Sequence, residues 1–158
     1  MAVEWLTCLE PRPWAAVRLF CFTHAGGRAS LFRPWVDRLP RSIEVSAVQL
    51  PGRERRFNEP PMTSADAIVE AVTPAILSLQ DRPFALFGHS MGSLLAFELA
   101  RALEARGTPP AHLFVSGRRA PDAAAIETPV HQMPDDAFVA EVNRRYGSIP
   151  AELLEHPD

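Results

Sequence analysis

The stretch Pro83-Phe84-Ala85-Leu86-Phe87-Gly88-His89-Ser90-Met91-Gly92 reads as a short buried strand, a tight turn and the start of a helix. Phe84, Ala85, Leu86 and Phe87 form an uncharged apolar run, the pattern of a strand buried on both faces. Behind the turn, Met91, Leu94, Leu95, Leu99, Ala102 and Leu103 recur at helical spacing. Arg106 and Gly107 then supply a cation and a glycine at the helix stop, followed by Pro109-Pro110. Between strand and helix, Gly88-His89-Ser90-Met91-Gly92 fits the G-x-S-x-G nucleophile elbow. The turn must lift the Ser90 hydroxyl out of the sheet, which strains the backbone. Only small residues such as Gly88 and Gly92 let strand and helix come so close. A serine hydroxyl is a weak nucleophile until a base takes its proton. The bare N–H groups and positive dipole end of the new helix, beginning at Met91, point to where an oxyanion would form.

Working outward, strands alternate with helices. Val17 to Thr23 is a strand rich in β-formers, ending in His24-Ala25-Gly26-Gly27. Such a loop, at the carboxyl end of a strand, is where a second backbone oxyanion donor arises; an ordinary strand-to-helix turn is the plain alternative. His24 could act as a base or serve as a local hydrogen-bonding residue. A helix is expected near Ala29 to Leu39, a strand over Ile43 to Gln49 and a long loop from Leu50 to Met62. That loop carries Arg53, Arg55 and Arg56, read as solvated residues with local salt bridges or as a contact for an anionic partner. Thr63-Ser64-Ala65-Asp66 has helix-cap chemistry, and the helix behind it is expected to reach about Gln80. After the elbow come a strand over His112 to Ser116, a loop, and a helix opened by Pro134-Asp135-Asp136 and stopped at Gly147. Residues 1–16 are expected to be irregular. The alternation predicts an α/β fold with a mostly parallel, doubly wound sheet in one domain.

Composition narrows the chemistry. All 16 basic residues are arginine. A chain without lysine has no Schiff-base lysine, phosphate-loop lysine or lysine general base. The net charge of −3 does not point to a nucleic-acid partner. No apolar run approaches the roughly 20 residues of a membrane span, and the N-terminus lacks a signal-peptide pattern. Cys8 and Cys21 have no metal-like spacing and suggest no disulfide framework, so the expected compartment is a reducing cytoplasm; no metal and no cofactor are expected.

The chain resembles the type II thioesterases of the α/β-hydrolase superfamily, stand-alone enzymes that serve polyketide and nonribosomal peptide synthases. The resemblance rests on Phe20 through Gly27, Leu50-Pro51-Gly52-Arg53-Glu54, the elbow, Val115 through Pro121, and Met133 through Phe138. Thr23 stands where that family has proline. The resemblance implies that Ser90 is the acyl-accepting nucleophile and that the N–H groups of Ala25 and Met91 form the oxyanion hole. Gly88, His89 and Gly92 build the elbow, and His24, Gly26 and Gly27 the oxyanion loop. It implies hydrolysis of acyl groups from the phosphopantetheine arm of an acyl or peptidyl carrier protein. It also implies a core over residues 17–121 and the start of a helical lid from about 122 to 158.

In this fold the acid and the histidine of the triad follow the serine along the chain. Here the residues after Ser90 are taken up by its helix, one strand and the lid start. The strands that would present the acid and the histidine are therefore expected to be missing, leaving roughly the N-terminal two thirds of such an enzyme. His112 opens its strand, roughly 16 Å from the active edge at about 3.3 Å per residue. His131 and His156 fall in lid segments, and the His89 side chain is expected to point away from Ser90. Two other readings stand beside this one: another serine esterase or acyltransferase on the same fold, and a catalytically inactive binding module. Arg53, Arg55, Arg56, Arg118 and Arg119 are candidate contacts for an acidic carrier protein or its phosphate.

Overall fold

The computed structural model describes residues 5–120, 130 and 133–146. It separates into two compact units, Met1–Arg119 and Ala120–Asp158. The first holds a five-stranded sheet. Its strands are β1 (Leu6–Cys8), β2 (Val17–Phe22), β3 (Ile43–Val48), β4 (Phe84–His89) and β5 (His112–Ser116), in the spatial order β1-β3-β2-β4-β5. All neighbours run parallel except β1, which lies antiparallel on β3 with Leu6 opposite Val48. Its helices are α1 (Arg33–Arg38), α2 (Ala65–Leu77) and α3 (Met91–Glu104).

Both faces of β2, β3 and β4 are covered, as their near-continuous apolar runs require, whereas β5 is largely exposed. Along β2, Phe20 and Phe22 point to one side and join Leu86 of β4, Val72 and Ile76 of α2, and Leu95 and Leu99 of α3. Leu19 and Cys21 point to the other side and meet Val45, Ala85, Phe32 and Val36. Burial pushes the Cys21 thiol far above its ordinary range, which keeps it protonated and inert. At the amino end of the sheet the buried Arg18 donates to Glu44 at 2.6 Å, to Asp81 at 2.6 Å and to the Leu79 carbonyl at 2.6 Å. These partners are what allow a guanidinium to lie that deep.

Several expectations need correction. The irregular stretch before Val17 contains β1: three residues are too few to show an alternation, and their pairing is with a distant strand. The helix near Ala29 is a 3-10 turn, Ala29–Phe32, followed by α1 with Pro34 in its first turn. Helix α2 starts as expected, with the Ser64 side chain accepting from the Ala67 N–H at 3.3 Å, but ends at Leu77. Pro74 sits inside it. The second unit contributes α4 (Asp135–Tyr146), with acids in its first turn and Glu141 paired to Arg144 and Arg145 near its end. His131, Gly147 and the segment from Ser148 to His156 lie outside the described residues.

Candidate active site

Parallel pairing brings the carboxyl ends of three strands to one edge. Phe22 of β2 stands opposite Gly88 of β4, and His89 of β4 opposite Ser116 of β5. Ligand sites of open α/β sheets lie along this edge. Ser90 follows β4 there and caps α3, with φ 54° and ψ −113°. A non-glycine residue rarely adopts a positive φ; the surrounding structure must hold it there. The close approach predicted for the elbow is present. A Cβ at Gly88 would run into the Gly92 carbonyl, and one at Gly92 into the Phe22 carbonyl. Both glycines are buried, and Ser90 is half-buried.

Met91 opens α3, and the first amides of a helix have no acceptor within it. The loop after β2 turns tightly. The Gly27 N–H donates to the His24 carbonyl at 3.0 Å, and Gly26 takes the positive φ of 75° that such a turn needs. A cleft of about 80 Å³ is lined by His24, Ala25, Gly26 and Gly27 together with Met91. The structure thus gathers the two proposed donor segments, distant in sequence, around one space, which Met91, the residue after Ser90, helps to line.

The far wall of the cleft comes from the next loop, through Leu50, Pro51, Arg53, Pro61 and Met62, with Ile68 of α2. Gln49 fixes this wall. Its amide nitrogen donates to the Arg53 carbonyl at 3.1 Å, while its Oε1 is buried with no hydrogen-bond partner among the described residues. Arg56 makes a local salt bridge, as expected, but is buried rather than solvated or partner-facing. It donates to the Gln49 carbonyl at 3.0 Å, pairs with Glu59 at 2.7 Å and lies over the Trp5 ring. Arg55 donates to the Leu6 carbonyl at 3.1 Å, and Arg53 to the Gly52 carbonyl at 2.8 Å. Arg118 and Arg119 are exposed.

His112 pairs with Ala85, at the opposite end of the sheet from Ser90. His89 is exposed, and its Nδ1 lies 3.1 Å from the Ser116 Oγ; its ring meets that of His24 edge-on, 6.1 Å between centroids. Among the described residues no group of three or more His, Cys, Asp and Glu could hold a metal ion, and no helix is long and apolar enough to cross a membrane.

Residues 17–158 match the Thioesterase domain family. The chain belongs to the thioesterase family. This thioesterase-family chain is 43% identical over 153 residues to the gramicidin S biosynthesis protein GrsT of Aneurinibacillus migulanus, and 45% identical over 146 residues to the thioesterase PikA5 of Streptomyces venezuelae. These matches cover 96% and 91% of the chain, but 59% and 52% of the relatives. Among solved structures it is similar to the type II thioesterase BorB from the borrelidin biosynthetic cluster, with a TM-score of 0.80 at 38% identity over 92% of this chain and 60% of that one. It is also similar to YbtT, a type II thioesterase from the yersiniabactin pathway, with a TM-score of 0.82 at 32% identity over 97% of this chain and 62% of that one. The fold of this family member is that of the α/β-hydrolases. It spans about 59% of the length of the gramicidin S relative.

Sequence reasoning missed Ser93, Ser116 and Gln49. A signal for Ser93 was present: with Ala96, Leu99 and Leu103 it occupies the buried face of α3, where a hydroxyl must find partners.

Proposed function

We propose that this chain carries the nucleophile and oxyanion hole of a thioesterase acting on acyl groups held by the phosphopantetheine arm of a carrier protein. The single observation that carries this reading is Ser90. It is a non-glycine residue at a positive φ, on the carboxyl edge of the sheet, at the mouth of a helix whose first residue shares a cleft with the His24–Gly27 turn. Strain of this kind persists only where the structure around it enforces it.

In the proposed reaction the Ser90 Oγ attacks the thioester carbonyl as a base takes its proton. A carbon–oxygen bond forms, and the carbonyl π electrons move onto oxygen. The N–H groups of Met91 and Ala25 stabilise that oxyanion; one such donor is worth about 10²–10³ in rate in a serine hydrolase. Collapse breaks the carbon–sulfur bond, and the pantetheine thiolate leaves with a proton from the protonated base. Water then attacks the acyl–Ser90 ester, releasing the acid and restoring the hydroxyl. Gly88, Gly92, Gly26 and Gly27 shape the turns, and His24 and His89 flank the mouth. The base and the acid that orients it follow the nucleophile in this fold, and we place them in the part of the family fold beyond the matched segment. The carrier protein would approach the edge formed by these loops, and residues from about 122 onward would form the beginning of a lid. Gramicidin S and borrelidin occur in the relatives' names, which supports a synthase-serving role.

The test uses the natural full-length protein and an S-acyl pantetheine. Rapid quench and peptide mass spectrometry should find the acyl group on Ser90, and Ser90→Ala should abolish both adduct and turnover. Unchanged hydrolysis by Ser90→Ala would remove the assignment. Transfer of the acyl group to an added alcohol in preference to water would instead identify an acyltransferase.

A further inference from the structure

We infer that Ser93 is a positioning residue for Ser90, coupling the ends of β4 and β5 through a buried hydroxyl. The inference rests on the reading of Ser90 as nucleophile. Ser93 is 2% exposed, in the first turn of α3. Its Oγ lies 2.8 Å from the Gly88 carbonyl and 2.7 Å from the Ser116 carbonyl, and it accepts from the Ser116 N–H at 3.1 Å. A hydroxyl has one proton and two lone pairs, so it shares its donation between the two carbonyls while accepting from the amide. Every one of these partners is backbone, and every one lies at the carboxyl end of β4 or β5, next to the turn.

Ser116 is the second half of the device. Its carbonyl also accepts from the Ser90 N–H at 2.8 Å. That bond fixes the peptide in which the strained φ of Ser90 resides. It also directs the Ser90 amide away from the cleft, leaving the Met91 amide as the elbow's oxyanion donor. The Ser116 hydroxyl meets His89 Nδ1 at 3.1 Å, so the residue before the nucleophile is tied to the same strand end. Strand β5 pairs with β4 up to His89 opposite Ser116, and at that point these side-chain and turn bonds tie the two ends together. Removing the Ser93 hydroxyl takes the acceptor from the Ser116 N–H and one donor from two carbonyls, in a buried site that offers little replacement. The β5 end is then free to shift, and the Ser90 N–H loses the fixed carbonyl that orients it. Small displacements of a reacting oxygen lower turnover steeply, whereas substrate binding, made largely elsewhere, is spared.

The experiment compares Ser93→Ala, Ser93→Cys and Ser90→Ala in the natural full-length protein, with S-acyl pantetheine turnover and amide hydrogen exchange as the two readouts. Ser93→Ala is expected to lower kcat about tenfold or more with KM changed less than about twofold. It should speed exchange at the Ser90 and Ser116 amides by about tenfold, while exchange in α2 is unchanged. Ser93→Cys keeps a weak donor and acceptor and should fall between the two. Unchanged kcat and unchanged exchange in Ser93→Ala would overturn the inference and leave the nucleophile assignment standing. Equal loss of protection throughout the sheet would also overturn it, since that marks a general stabiliser. If Ser90→Ala still turns over substrate, the nucleophile reading fails by itself, and the claim that Ser93 positions a nucleophile goes with it. Should Ser93→Ala not fold, Ser93→Cys decides by the same readouts.

Discussion

At the scale of single residues, the backbone of Ser90 is in conflict with its own side chain. Ser90 holds φ 54° and ψ −113°, a conformation that a Cβ disfavours by about 1–3 kcal/mol. The elbow maintains it through the Ser90 N–H bond to Ser116 and the close packing at Gly88 and Gly92. Two substitutions of Ser90 should therefore differ in stability. Ser90→Ala removes the hydroxyl but keeps the Cβ. Ser90→Gly removes both and relieves the strain, at a smaller cost from the freer unfolded chain. Glycine is expected to be more stable than alanine at this position by about 1 kcal/mol, read from parallel denaturant titrations. Equal midpoints would mean that the φ carries no strain. The residue types were legible in the sequence because serine and two glycines at this spacing have few other uses. The bonds of Ser93 and Ser116 were not, because their partners lie on another strand.

At the scale of elements, the two ends of the sheet do different work. The carboxyl end carries the elbow, the His24–Gly27 turn and the loop held by Gln49. The amino end carries charge. Asp81, between α2 and β4, pairs with Arg82 at 2.8 Å and with Arg18 at 2.6 Å. Hydrogen bonds from Arg82 and then from Arg18 lower its pKa from the ordinary 3.8 to about 2. A carboxylate with a depressed folded-state pKa contributes stability above its unfolded pKa and loses it as pH falls through the folded one. The contribution is thus complete above about pH 4 and gone near pH 2. Asp81→Asn is expected to flatten this part of the acid-denaturation curve while leaving stability near pH 7 only slightly lower, because Asp81 is solvent-exposed and screened. An unchanged acid limb in the variant would show that the pair does not link folding to protonation. The element boundaries themselves were largely readable from apolar period and caps, as with Ser64 before α2. Strand β1 was not: its reason for being a strand is the exposed edge of β3, which no local pattern displays.

At the scale of the whole molecule, β5 is the outermost strand among the described residues beside β4, and Phe114 and Val115 on it are 48% and 57% exposed. An apolar strand with an unpaired edge is a template for another chain. The 158-residue chain alone is expected to self-associate at micromolar concentration, and Val115→Lys to shift it toward monomer in sedimentation velocity. Equal association by both would place the sticking surface elsewhere. By itself the sequence determined the α/β alternation, the elbow, its serine and the family, because these depend on local spacing and on side chains whose chemistry is intrinsic. Tertiary structure decided what spacing cannot express. It set β1 against β3, turned Arg56 inward onto Gln49 and Trp5, and brought the His24–Gly27 turn to Met91 around one cleft. It also placed the Ser93 hydroxyl between the ends of β4 and β5. Each of these is a meeting of groups far apart in the chain, and a buried polar group is informative only once the partner that makes its burial tolerable is known.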